Sequence, residues 1–187
     1  MVLWKTAGLV TLLMGTQFAI AGGTRVTVCM KTSSFFIPTE QRAKFEATRI
    51  FAKIDVELKW VAYSDCPEEA IRVQLNPTAV PGVSPTALAC AYPFNKSSHV
   101  IVLFRNRVDE MLSGRGAAAG VILGHILAHE IGHVLLGTDT HTAAGLMKPG
   151  WNSLDLGAML ASRLEFSPLH SEMIRNNLIA GRLYSRK

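Results

Sequence analysis

The sequence predicts a single α+β domain in which a small twisted mixed β-sheet packs against a long N-terminal helix and a second, buried helix, with another helix near the C-terminus. Three observations carry this expectation. Short apolar runs with strand character recur up to Phe104, an amphipathic helical repeat separates the first two of them, and the stretch from Val121 to Leu136 is apolar on nearly every side.

The first strand is expected over Arg25 to Met30, where Val26, Val28 and Met30 share one face. Between Pro38 and Ile54 the residues Ala43, Ala47, Ile50, Phe51 and Ile54 recur at helical spacing with Lys and Glu between them, which predicts a surface helix packed on the sheet. Val56, Leu58 and Trp60 alternate, as do Ile71, Val73 and Leu75, so strands two and three follow, joined through Ser64 to Pro67. Prolines and a glycine between Asn76 and Pro85 imply an irregular excursion before a short strand at Ala87 to Tyr92. His99 to Phe104 is continuously apolar after its first residue, the pattern of a strand buried on both faces. Gly114 and Gly116 break the chain ahead of the buried helix. A turn-rich stretch from Gly137 to Asn152 leads to a last helix, with Ser167 as its N-cap and Pro168 in its first turn.

A chain of 187 residues suits one domain, and 49% hydrophobic with 18% charged residues is the composition of a protein with a buried core. The formal charge of +5 is scattered, without a basic run or interleaved aromatics, so nucleic acid is not an expected partner. Residues 1–21 read as a signal peptide: Lys5 precedes an apolar centre from Leu9 to Met14, and small residues stand at Ala19 and Ala21. Thr11, Gly15, Thr16 and Gln17 interrupt that centre, which falls short of the ~20 residues a spanning helix needs. The expected mature domain is therefore 22–187, beginning at Gly22, a secreted monomer in an extracellular or periplasmic compartment with no membrane association after cleavage.

Export exposes Cys29, Cys66 and Cys90 to oxidising conditions, and an odd number leaves one thiol. Cys66 follows one strand and Cys90 lies in another, which favours a Cys66–Cys90 bridge with Cys29 free in the first strand.

The chemistry concentrates in Ala128-His129-Glu130-Ile131-Gly132-His133 within the buried helix. Residues four apart on a helix differ by about 40° in azimuth and about 6 Å in rise, so the His129 and His133 imidazoles project side by side and can grip one zinc ion. Glu130 is turned about 100° from His129, which suits it to reach a water on the open side of the metal rather than to ligate. Two incidental histidines beside an exposed acid are the alternative. Against that stands the apolar remainder of the helix, in which three such groups are costly unless a metal compensates them.

Gly137 can take the left-handed conformation that ends a helix and turns the chain back toward the metal. Two third ligands then come within reach, Asp139 and His141, of which His141 is favoured because imidazole is the commoner zinc ligand. His125, one turn before His129, reads as a core histidine with a backbone partner more readily than as a support for the metal site. His99 and His170 stand at no informative spacing. A Cys29 thiolate capping the metal is disfavoured by its strand setting.

The stretch from His129 to Met147 resembles the metzincin clan of zinc peptidases, whose motif is H-E-x-x-H-x-x-G-x-x-H or D followed by a methionine turn. His129, Glu130 and His133 match; Gly137 arrives one position late, His141 arrives two positions late, and Asp139 occupies the usual place of the third ligand. The resemblance implies that Met147 forms an apolar floor beneath the metal. It also implies that the strand around Ala87 to Tyr92 pairs with an extended peptide substrate, and that the activity is zinc-dependent endopeptidase hydrolysis with Glu130 as general base. One rival is a secreted, non-catalytic zinc-containing peptide-binding module, against which Glu130 argues, because structural zinc sites are usually closed by four protein ligands. Another, resembling the gluzincins, takes Glu165 or Glu172 as third ligand, which the nearer His141 makes unnecessary.

Overall fold

Alternating apolar residues set the strands. β1 (Thr24–Met30) buries Val26, Val28 and Met30 on one face and pairs in parallel with β2 (Val56–Ala62) on one side and β3 (Ile71–Asn76) on the other. In the computed structural model, which describes residues 24–31, 37–92 and 99–181, β3 pairs in parallel with β5 (His99–Phe104). The outer side of β5 carries β4 (Ala89–Ala91), antiparallel and at the edge, giving the order β2-β1-β3-β5-β4. Ile101 to Phe104 are buried in succession, so both faces of β5 are covered over that stretch. The expected signal peptide and the cleavage point before Gly22 lie outside the described residues.

The helices are α1 (Ile37–Ala52), α2 (Arg105–Leu112), α3 (Ala118–Leu136), α4 (Ser153–Leu160) and α5 (Pro168–Ile179). This is a mixed α+β fold. α1 and α3 pack on each other, and one continuous core joins them to the sheet face carrying Val26, Val28, Ile71, Val73 and Ile101. Every residue of α3 from Ala119 to Leu136 is buried, because other elements surround it. Gly120 and Gly124 permit the closest approach: a Cβ at Gly124 would lie 2.6 Å from Glu46 Cβ and 2.8 Å from the Ala43 carbonyl oxygen on α1, inside any tolerable contact. Ser167 caps α5 by accepting from the His170 amide, and the Asn177 side chain donates to the Leu135 and Leu136 carbonyls, tying α5 to the end of α3.

Two helices exceed the sequence expectation. α2 follows β5 without a break, and its Val108, Met111 and Leu112 form a short apolar stripe that a strand run immediately before it conceals. α4 starts at a capping box, in which the Asn152 side chain accepts from the Asp155 amide while the Asp155 carboxylate accepts from the Asn152 amide. That signal stands in the sequence as Asn152-x-x-Asp155.

The disulfide differs from the expected one. Cys29 is bonded to Cys66, and Cys90 is the free cysteine. The chain leaving β2 crosses past the end of β1 to enter β3, and this crossing carries Cys66 to a Cα–Cα distance of 5.8 Å from Cys29. Cys90 belongs to the edge strand, three strand spacings from β1, or about 14 Å at about 4.8 Å each, whereas a bridge tolerates about 7 Å. A cross-link spanning 37 residues stabilises the fold by about 4 kcal/mol through the unfolded chain. Non-reducing peptide mapping after alkylation is expected to find Cys29 and Cys66 in one linked species and the label on Cys90. A linked Cys66 and Cys90 pair would contradict the sheet order.

Candidate metal centre

Helix α3 places His129 and His133 on one face, and the chain end of that helix builds the rest of the centre. Gly137 takes φ 66° and ψ 36°, the left-handed conformation, so its amide and that of Thr138 fold back onto the last carbonyls of α3. The reversal puts the Thr138 carbonyl 2.9 Å from His133 Nδ1 and brings His141 over the helix. His133 Nε2 lies 3.0 Å from His129 Nε2 and 3.3 Å from His141 Nε2. These three residues form the only cluster of potential metal ligands among the described residues, with ligand atoms all within 4.8 Å of one another.

The surroundings orient the rings. His129 Nδ1 donates to the Leu146 carbonyl at 2.8 Å and His133 Nδ1 to the Thr138 carbonyl, which leaves each Nε2 with its lone pair facing the others. Bare lone pairs at 3.0 Å repel, whereas ligand atoms around a tetrahedral ion bound at about 2.0–2.1 Å are spaced at about 3.3 Å, so the donor set fits a single cation. Burial is the largest cause holding the His129 ring down to about 3 and the His133 ring to about 4, and each is lowered further by its imidazole neighbours. Both rings are therefore neutral at pH 7, as ligation requires. The ring edge of Trp151 meets His129 at 5.4 Å between centroids, walling that side.

Leu146 reaches His129 because its own segment is pinned from below. Its amide donates to the Glu165 carbonyl, the Thr142 amide donates to the Met147 carbonyl, and Glu165 pairs with Lys53, just past the end of α1. Met147 is buried, with its sulfur 2.9 Å from where a Cβ on Gly132 would stand; only glycine there lets Met147 and Phe166 pack under the turn that joins the two helix histidines.

Glu130 faces a different space. Its carboxyl is buried along the wall of a cleft of about 960 Å³ that also reaches the three histidines, Trp151, Met111 and the edge strand β4. Burial pushes its pKa up to about 8, opposed by a hydrogen bond from the Ala91 amide on β4. A cation held by the histidines would draw that value back down.

Other expected residues fall outside the centre. Asp139 is exposed and lines the cleft, and its charge raises the proton affinity of His133 and His141, but it is not one of the three clustered ligands. Glu165 is committed to Lys53, and neither it nor Glu172 joins the cluster. His125 packs at the α1–α3 contact with Nδ1 2.8 Å from the Val121 carbonyl, and burial holds its pKa below the usual imidazole range. Cys29 is closed in its disulfide. Sequence reasoning missed Trp151, the Leu146 and Thr138 carbonyls, and Cys90, whose thiol lines the cleft and accepts from Tyr92 while burial raises its pKa. Among these only the carbonyls had a readable signal, since metal-binding histidines commonly donate their second nitrogen to a backbone oxygen. No protein-family model and no curated protein matches this chain.

Proposed function

We propose that this chain is an exported zinc-dependent endopeptidase of metzincin type, with His129, His133 and His141 as the zinc ligands and Glu130 as general base. The observation that carries the reading is the convergence of three imidazole Nε2 atoms beside a buried carboxyl that opens, with them, onto one cleft bordered by an edge strand. Zinc, when bound, supplies Lewis acidity that polarises a peptide carbonyl and makes a water a stronger acid. With three protein ligands, one position stays open for that chemistry.

The chain's own residues do the remainder. Glu130 takes the proton from the attacking water and returns it to the nitrogen of the departing amine, a transfer suited to a carboxyl whose proton affinity burial raises and a bound cation would lower again. The Ala91 amide holds that carboxyl against the cleft wall. The outer side of β4 borders the cleft, so an extended peptide can add main-chain hydrogen bonds there, which favours peptides over other amides. Trp151 and the apolar wall exclude water around the reacting carbonyl. Under this reading Met147 provides the apolar floor.

Removing zinc with a chelator is expected to abolish cleavage of denatured casein, and one equivalent of zinc is expected to restore it. Chelated protein that cuts casein at the original rate would refute the metal dependence.

A further inference from the structure

The cleft wall opposite α3 is made by the proline-rich excursion between β3 and β4, a stretch with Pro77, Pro81 and Pro85 and no ladder partner of its own until Leu88. Val83, Ser84, Thr86, Ala87 and Leu88 from this stretch all line the cleft, and β4 continues directly from it. Within it the Ser84 hydroxyl accepts from the Thr86 amide and meets the Thr86 hydroxyl, so the turn at 84–87 has a shape of its own. What ties that turn to the rest of the fold comes from α2. Nη1 of Arg107 donates to the Ser84 carbonyl at 2.8 Å and to the Ala87 carbonyl at 2.7 Å. Those two carbonyls belong to one turn, closed by the Ala87 amide donating to Ser84 O at 3.1 Å.

We propose that Arg107 is a positioning residue of the substrate cleft: its guanidinium clamps the turn at Ser84–Ala87 and so sets the wall and the edge strand against which an extended peptide binds. The inference rests on the peptidase reading and adds to it the residue that shapes the binding surface. Three features support it. A charged donor makes these bonds stronger than neutral ones, and the two N–H groups of one guanidinium nitrogen are matched to two carbonyls. The anchor is rigid, because the guanidinium lies 5.6 Å from the ring centroid of Phe104, a fully buried residue at the end of β5. Met111, one turn further along α2, lines the same cleft, so the helix that carries the clamp also carries part of the wall.

Arg107 touches neither the three histidines nor Glu130. Releasing the turn therefore lets the wall drift while the metal centre on α3 keeps its geometry, and substrate binding weakens more than the chemical step.

The test compares wild type with R107Q and R107K as zinc-loaded full-length protein. Zinc content, kcat and KM on denatured fluorescein-labelled casein, and hydrogen–deuterium exchange are measured on each. R107Q is expected to keep its zinc and a kcat within about twofold, to raise KM about tenfold through misplacement of the binding wall, and to exchange faster at residues 84–91 while α3 stays protected. R107K, which retains a cation able to reach one carbonyl, is expected to fall between the two. Unchanged exchange at 84–91 in R107Q would overturn the clamp and leave the peptidase reading intact. Loss of zinc or protection throughout α1 and α3 would overturn it as well, by making Arg107 a residue of general stability. Casein left uncut by the wild type would overturn the peptidase reading itself, and with it any role in substrate binding.

Discussion

Glu130→Gln is expected to retain zinc and the native fold and to lose nearly all peptide hydrolysis. The amide keeps the shape of the carboxyl and can still meet the Ala91 amide through its oxygen, so the buried side chain remains accommodated. It has no basic oxygen with which to take a proton from water. General acid–base assistance is typically worth about 10² to 10⁴ in rate, and here the same group serves both the attack and the departure of the amine, so the loss should reach the upper part of that range. Zinc content, circular dichroism and casein turnover on the same preparation separate the possibilities. A Gln variant within tenfold of wild type would remove Glu130 from the mechanism, and loss of its zinc would make residue 130 a ligand instead.

The second large effect belongs to His141. His141→Ala removes one of three clustered ligands and is expected to weaken zinc binding by well over the roughly 100-fold seen when only a supporting partner of a ligand is lost. Asp139→Ala removes a neighbouring charge that favours a cation but no member of the cluster, and is expected to cost about tenfold or less. Competition against a chromogenic zinc chelator gives both affinities. The reverse order, with Asp139→Ala losing zinc and His141→Ala keeping it, would identify the wrong ligand.

Much of this architecture is legible in the sequence, for definite physical reasons. Period-two alternation marks β1, β2 and β3 because each buries one face, and the unbroken apolar run of α3 marks a helix enclosed by others. His129, Glu130 and His133 are readable because i and i+4 share a helix face whatever surrounds them. The sheet order is not readable in this way. It depends on which strands meet in space, and that order decides the disulfide: Cys29 and Cys66 meet where the chain crosses the end of β1, while Cys90 is carried to the far edge. Arg107 is likewise invisible in the sequence, since its partners are main-chain carbonyls about twenty residues away that any residue type supplies. Helix α2 hides behind β5 because it follows the strand without a break and carries only Val108, Met111 and Leu112 as apolar marks in eight residues.

The departure from the metzincin spacing also has a structural meaning. Gly137 ends α3 one residue later than the family motif places its glycine, and the turn through Thr138 supplies a carbonyl to His133 before the chain delivers His141. The third imidazole thus joins the other two by a longer path, and Asp139, which the resemblance would place as third ligand, is left on the exposed part of that turn.

Diffraction at the zinc absorption edge from crystals of the zinc-loaded protein tests the central claim most directly. The expected result is one anomalous peak bonded to Nε2 of His129, His133 and His141 at about 2.0–2.1 Å, with a fourth position open to the cleft beside Glu130. A peak closed by a fourth protein ligand, or one lying away from these three histidines, would contradict it.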